Sequence, residues 1–148
     1  MKKTFNLVVA MTVMFACALT ANGVERPRKD DVKDIIQSVN DYWQENNPGH
    51  GNWFWNRAVY HVGNMEAYRT TGRSDYMEFS RAWAEQNDWS GPKGDDTSMW
   101  SYDYGEWNVL FGDCQICFQV YSELYDVEKD DYRLSRAFQV MDYQMSTE

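Results

Sequence analysis

Trp53, Trp55, Arg57 and His61 fall within nine residues of one another, and each could act on a polar ligand. A guanidinium is a planar fork that holds a carboxylate through two parallel hydrogen bonds. Indole rings offer broad apolar faces on which a sugar can stack. Asp113 stands apart, after Phe111 and Gly112, where a helix should open. A helix N-terminus favours an ionised carboxylate by about 0.3–1 kcal/mol. Aimed into a pocket, that carboxylate can exchange protons or hold a hydroxyl.

Each of these residues has a plainer alternative. Asp113 suits a simple N-cap. Arg57 suits an ion pair with a nearby Asp, and its place at the start of a helix is the wrong end for the dipole, so something must compensate it. His61 on a mostly apolar helix suits a structural role. At least one of Trp53 and Trp55 suits the core.

Metal and cofactor chemistry find little support. His50 and His61 lack the further ligands a zinc site needs. Cys114 and Cys117 form a C-x-x-C pair on a helical stretch, which reads as two small buried residues one turn apart. A redox pair would want a strand, a turn and a helix around it. Asp95, Asp96, Asp103 and Glu106 share one loop without the spacing of a calcium-binding EF-hand. No nucleophile elbow, zincin helix or phosphate-binding loop is present, and no cofactor is expected.

Five helices must position these groups, predicted over residues 30–45, 54–70, 74–87, 113–126 and 130–145. In the first, Val32, Ile35, Ile36, Val39 and Trp43 form one stripe that should face a core. In the second, Trp55, Ala58, Val59, Val62 and Met65 should point inward. Gly63 within it costs about 1 kcal/mol against Ala, for which close helix–helix approach is the expected compensation. Ser74 is the expected N-cap of the third, with Tyr76, Phe79 and Trp83 inward. In the fifth, Leu134, Ala137, Phe138, Met141 and Met145 repeat the stripe of the first. No pair of β-strands is evident.

A repeat runs through this pattern. Tyr68 to Tyr76 and Tyr125 to Tyr132 each hold a helix end, a short turn and a new helix start. Ser80-Arg81-Ala82-Trp83 then recurs 55 residues later as Ser135-Arg136-Ala137-Phe138. Repeated helical hairpins stack into a solenoid or a ring. The connections before the second and fourth helices are long and rich in Trp and Gly; the other two are short. In up-and-down packing the long pair shares an end, which places Trp53, Trp55, Arg57 and Asp113 near one another.

The chain has 148 residues, enough for one domain, and 16% aromatic residues, including seven Trp. Lys2 and Lys3 followed by an apolar run over residues 7–18 read as an export signal, too short for a membrane span. Residues 1–21 are therefore expected to be a signal peptide, with Cys17 as an alternative lipid anchor, and residues 22–148 the domain. The expected location is periplasmic or at the cell surface. Loss of the two lysines would take the net charge from −9 to −11. That excludes the basic surface nucleic-acid binding requires. It also means that an anionic substrate would need local cations.

Three segments together resemble a known family: Trp53-Phe54-Trp55-Asn56-Arg57 leading to His61 and Gly63, the hairpin from Tyr68 to Tyr76, and Leu110-Phe111-Gly112-Asp113. They look like the start of unsaturated rhamnogalacturonyl and glucuronyl hydrolases, glycoside hydrolase families 88 and 105. The resemblance covers most of the chain from about Asp30. It implies an all-α fold, an (α/α)6 barrel, of which this chain would hold the first five helices as an incomplete toroid. It implies release of an unsaturated uronic acid from pectin-derived oligosaccharides by hydration of the vinyl ether, so the usual two-carboxylate glycosidase geometry does not transfer. Asp113 matches the earlier of two family Asp residues, which contacts the sugar and aids catalysis. Trp53, Trp55, Arg57 and His61 would bind substrate. The family's principal proton-transferring Asp belongs to a later segment, so that role falls on no residue here. The chain alone is expected to be inactive. A non-catalytic remnant and a helical-repeat carbohydrate-binding or interaction module are the alternatives.

Overall fold

The computed structural model describes residues 26–147. The expected signal sequence and Cys17 lie outside them. The chain divides into two units, one ending at Val32 and one from Lys33 onward. In the first, the Arg28 guanidinium grips the Asp31 carboxylate at 3.0 Å.

The described residues hold five α-helices and no strand: α1 Lys29–Asn46, α2 Trp55–Thr71, α3 Ser74–Gln86, α4 Gly112–Val127 and α5 Ser135–Thr147. Short 3-10 turns lie at Thr97–Met99 and Asp131–Leu134. This is the all-α, hairpin-built architecture that the sequence suggests. Gly72 ends α2 in the left-handed region, φ 79°, where its N–H closes onto the Tyr68 carbonyl.

Two helix starts differ from expectation. Arg73 is the cap of α3, and Ser74 is already helical with no capping bond from a side chain. The fifth helix begins at Ser135, later than predicted. Asp130 accepts a hydrogen bond from the Tyr132 N–H, and this cap winds the next residues into a tighter 3-10 turn first.

The main core joins α2, α3 and α4 through Ala58, Met65, Trp83, Cys117, Tyr121 and Leu124. A smaller cluster, Trp100, Val109, Leu110 and Val140, lies between the long loop and α5. The apolar stripes of the first and fifth helices face the cores only in part, through residues such as Leu134, which packs on the main core, and the buried Ala137. Ile35 and Val39 of α1 are exposed, as are Phe138, Met141 and Met145 of α5. In α2, Trp55 and Val59 point outward too, while His61 and Asn64 are buried. The reason is a buried polar network that displaces the apolar pattern. Asn40 donates to Asn64 Oδ1 at 2.6 Å, Tyr60 donates to Asn40 Oδ1 at 2.8 Å, and Asn64 donates to Ser80 Oγ at 2.8 Å and to the Tyr76 carbonyl. These bonds join α1, α2 and α3 and satisfy groups that would be costly to bury alone. Close approach at Gly63 is not found: a Cβ there would meet nothing within 4 Å.

Candidate functional site

The two long connections meet at the end where α2 and α4 begin. Asn52 donates to Glu106 Oε1 at 2.5 Å, and the Trp53 and Trp107 rings pack edge to face with centroids 5.8 Å apart. Trp83 Nε1 donates to the Asn52 carbonyl at 2.9 Å, and Gln86 and Asn87 donate to the Gly51 carbonyl. The shared end therefore follows from direct contacts between the loops.

Asp113 occupies the first turn of α4. The cap position is Phe111, and no side chain caps this helix. The plain N-cap reading of Asp113 therefore fails: its half-buried carboxylate makes no hydrogen bond or ion pair with any described residue. Cys114 beside it donates from Sγ to the Gly105 and Glu106 carbonyls at 3.3 Å each, which ties the tight turn around Glu106 to the start of α4. Burial, with the Asp113 and Glu106 charges adding, pushes the Cys114 thiol up to about 11. Burial also pushes the Cys117 thiol up to about 12. Both cysteines are free and buried, as structural residues rather than reactive thiolates.

Arg57 turns toward the end of α1. Its Nη1 donates to Asn47 Oδ1 at 3.1 Å, and its guanidinium lies over the Trp43 ring, 5.4 Å from the centroid. The C-terminus of α1, which ends at Asn46, supplies the compensating negative dipole. Gly51 permits this placement, because a Cβ there would come within 2.8 Å of Arg57 Nε and its φ is 78°. The expected ion pair with an Asp is absent. From residue 33 onward, Arg57 is the one arginine among the described residues with no carboxylate partner; the other five are all paired.

Trp55 exposes its ring at the start of α2. Trp53 does not: at 5% exposure it belongs to the core, so its expected stacking on a sugar is corrected to a packing role. His61 is corrected likewise. It is fully buried, stacked on Trp83 with centroids 4.3 Å apart, and its Nδ1 lies 3.1 Å from Ser80 Oγ. Burial, with His50 and Arg57 adding, pushes its pKa down to about 3, so the ring is neutral and has no face left for a ligand.

The structure brings Asn52 to Glu106 and Trp53 to Trp107, and Cys114, next to Asp113 in the chain, donates to the Glu106 carbonyl; Arg57 and Trp55 lie on the opening stretch of α2. The pairing of Asn52 with Glu106 and of Trp53 with Trp107 was not legible in the sequence. Trp107 is 65% exposed although pinned by Trp53, and the available signal was a Trp in a Gly- and Asp-rich loop just ahead of Asp113. Asp95, Asp96, Asp103 and Glu106 do not converge. Asp95 pairs with Arg136, Asp96 caps the Thr97–Met99 turn, and Glu106 takes the Asn52 amide.

No curated protein matches the chain. Among solved structures, a protein named polysaccharide lyase aligns with TM-score 0.78 and 54% identity, over 80% of this chain and 34% of its own. A glycosyl hydrolase family 88 protein from Bacteroides vulgatus aligns with TM-score 0.77 and 39% identity, over 81% of this chain and 35% of its own. The chain thus spans about a third of the length of the structures it matches. The model of glycosyl hydrolase family 88 matches residues 29–148. The chain belongs to glycosyl hydrolase family 88.

Proposed function

We propose that this chain supplies part of a site that releases an unsaturated uronic acid from pectin-derived, rhamnogalacturonan oligosaccharides. The observation that carries the reading is the unpaired Asp113 carboxylate in the first turn of α4, where two aromatic loops converge. Arg57 supports it as a guanidinium free of carboxylates in a chain of net charge −9. An acidic protein that binds a uronate needs such a cation.

In the reaction, a proton adds to C4 of the double bond and the hydroxyl of water adds to C5. The resulting hemiketal opens by breaking the bond from C5 to the ring oxygen, which leaves a hemiacetal at C1; its collapse to the aldehyde breaks the glycosidic C1–O bond and frees the rest of the oligosaccharide as the alcohol. Asp113 holds the sugar hydroxyls and assists proton movement, Arg57 takes the uronate carboxylate, and Trp55 stacks on a ring face. The family's principal proton donor is expected in a later segment, and the residues here bind and orient the sugar. The protein is exported and works in the periplasm or at the cell surface.

The lyase name of one relative favours a second reading, in which the double bond is formed rather than consumed. Arg57 does not discriminate, since both reactions involve a uronate carboxylate. Ultraviolet absorbance in a longer relative separates them, falling with an unsaturated disaccharide for the hydrolase and rising with saturated polygalacturonate for the lyase.

For the chain itself, calorimetric titration with unsaturated digalacturonate tests the reading. Binding is expected, weakened about tenfold in Arg57→Ala, the equivalent of roughly 1.4 kcal/mol. Absence of binding, or equal binding by Arg57→Ala, contradicts it.

A further inference from the structure

Glu106 is held at both ends. Its carboxylate accepts from the Asn52 amide at 2.5 Å, and its backbone carbonyl accepts from the Cys114 thiol at 3.3 Å. The first bond reaches across 54 residues to the connection before α2; the second reaches the first turn of α4, next to Asp113. Asn52 is fixed as firmly. Its carbonyl accepts from the indole N–H of the fully buried Trp83 at 2.9 Å. Its Oδ1 accepts from the Phe54 N–H at 3.3 Å, which leaves Nδ2 as the atom that donates to Glu106. The next residue of each connection, Trp53 and Trp107, adds an edge-to-face contact.

A bridge of hydrogen bonds thus runs from the Phe54 N–H through Asn52 and Glu106 to Cys114, and every member has its partner among the described residues. One end is the cap position of α2, three residues before Arg57. The other is the turn that carries Asp113. An amide bonded to a carboxylate is short and directional, so it fixes geometry. A ligand gripped by a guanidinium on one helix and a carboxylate on another depends on their spacing. A misplacement of about 1 Å in such a site can cost on the order of 100-fold in rate.

We propose that Asn52 and Glu106 are positioning residues that set the spacing of Arg57 and Asp113 for a uronate ligand; the role rests on the function proposed above. Asn52 acts through the Phe54 N–H on the turn that carries Trp55 and Arg57. Glu106 acts through Cys114 on the turn that carries Asp113. Neither is assigned a contact with the sugar.

Three variants of the full chain test this. Asn52→Asp removes the donor, keeps the acceptor for the Phe54 N–H and sets two carboxylates against each other. Glu106→Gln keeps an acceptor for Asn52. The double variant reverses the bond, the new amide at 106 donating to the new carboxylate at 52, with the net charge of the wild type. Calorimetric titration with unsaturated digalacturonate is expected to show about tenfold weaker binding in Asn52→Asp, and affinity within about threefold of wild type in the other two. Near-ultraviolet circular dichroism, as the difference between each protein and its Trp107→Phe counterpart, reads the Trp53–Trp107 contact without ligand. That signal is expected to fall in Asn52→Asp and to return in the double variant, with far-ultraviolet helicity unchanged throughout. Tighter binding by Glu106→Gln means that charge alone acts, and overturns the proposal. Wild-type affinity in Asn52→Asp overturns it, as does a double variant no better than Asn52→Asp. A wild type that does not bind digalacturonate sinks the function proposed above and the positioning role with it; an aromatic signal that still follows the bond then leaves Asn52 and Glu106 as a tie between loops alone.

Discussion

The hairpins α2–α3 and α4–α5 carry the same Ser-Arg-Ala-aromatic signature, yet the structure treats them differently. Trp83 of the first copy is fully buried, and Phe138 of the second is 55% exposed. Ser80 anchors a buried network with His61 and Asn64, whereas Ser135 reaches only the Asp131 carbonyl at its own helix start. Arg81 pairs with Glu128 across to the turn after α4, while Arg136 holds the Pro92 and Gly94 carbonyls. A repeated sequence yields a repeated helix, but the neighbours decide which side chains become core.

The largest expected effect concerns pH and the first hairpin. His61 has a pKa of about 3 when folded, against about 6.5 for the unfolded chain, because burial disfavours the imidazolium. The unfolded state therefore binds the extra proton first. Stability is full above the unfolded value and falls as pH drops from there toward the folded one. The loss approaches about 5 kcal/mol at most. Urea titrations across this range should show it, and His61→Phe should flatten the dependence. An equally steep dependence in the variant would place the effect elsewhere.

Next in size, Trp83→Ala should cost about 3–5 kcal/mol, while Phe138→Ala should stay within about 0.5 kcal/mol. Comparable losses at the two positions would mean the copies are packed alike, against the structure. Asn64→Ala should cost about 1–3 kcal/mol, because Asn40 and Ser80 lose a buried partner. The arginines give the smallest contrast. Arg136→Ala should cost about 1–2 kcal/mol, since its side chain is largely buried on two carbonyls. Arg81→Ala should cost below about 1 kcal/mol, because its ion pair with Glu128 is open to water.

The helices were legible in the sequence because 3.6-residue periodicity and the stop at Gly72 are local properties. Their inward faces were legible only in part: Tyr76 and Trp83 of α3 and Ala58 and Met65 of α2 are buried as expected. The stripe of Ile35 and Val39 is as regular as a buried one, but regularity shows only that a face is apolar, not that a partner covers it. In α2 the burial of His61 and Asn64 reverses the usual rule. It depends on Asn40, Tyr60 and Ser80 meeting from three helices, which no single window of sequence displays. At the candidate site, the places of Asp113 and Arg57 at the starts of α4 and α2 were legible from residue type and position. Trp53 was not separable from Trp55, because only the contact with Trp107 shows which ring turns inward. Glu106 reaches Asn52 across 54 residues, a pairing fixed by how the loops fold together.

If the starts of α2 and α4, rather than the exposed faces of α1 and α5, form the ligand site, a bound ligand must protect those starts. Hydrogen exchange followed residue by residue, with and without unsaturated digalacturonate, addresses it directly. Slowed exchange is expected across residues 52–60 and 105–116 and none in α5. Protection confined to α1 or α5, or no protection anywhere, would contradict it.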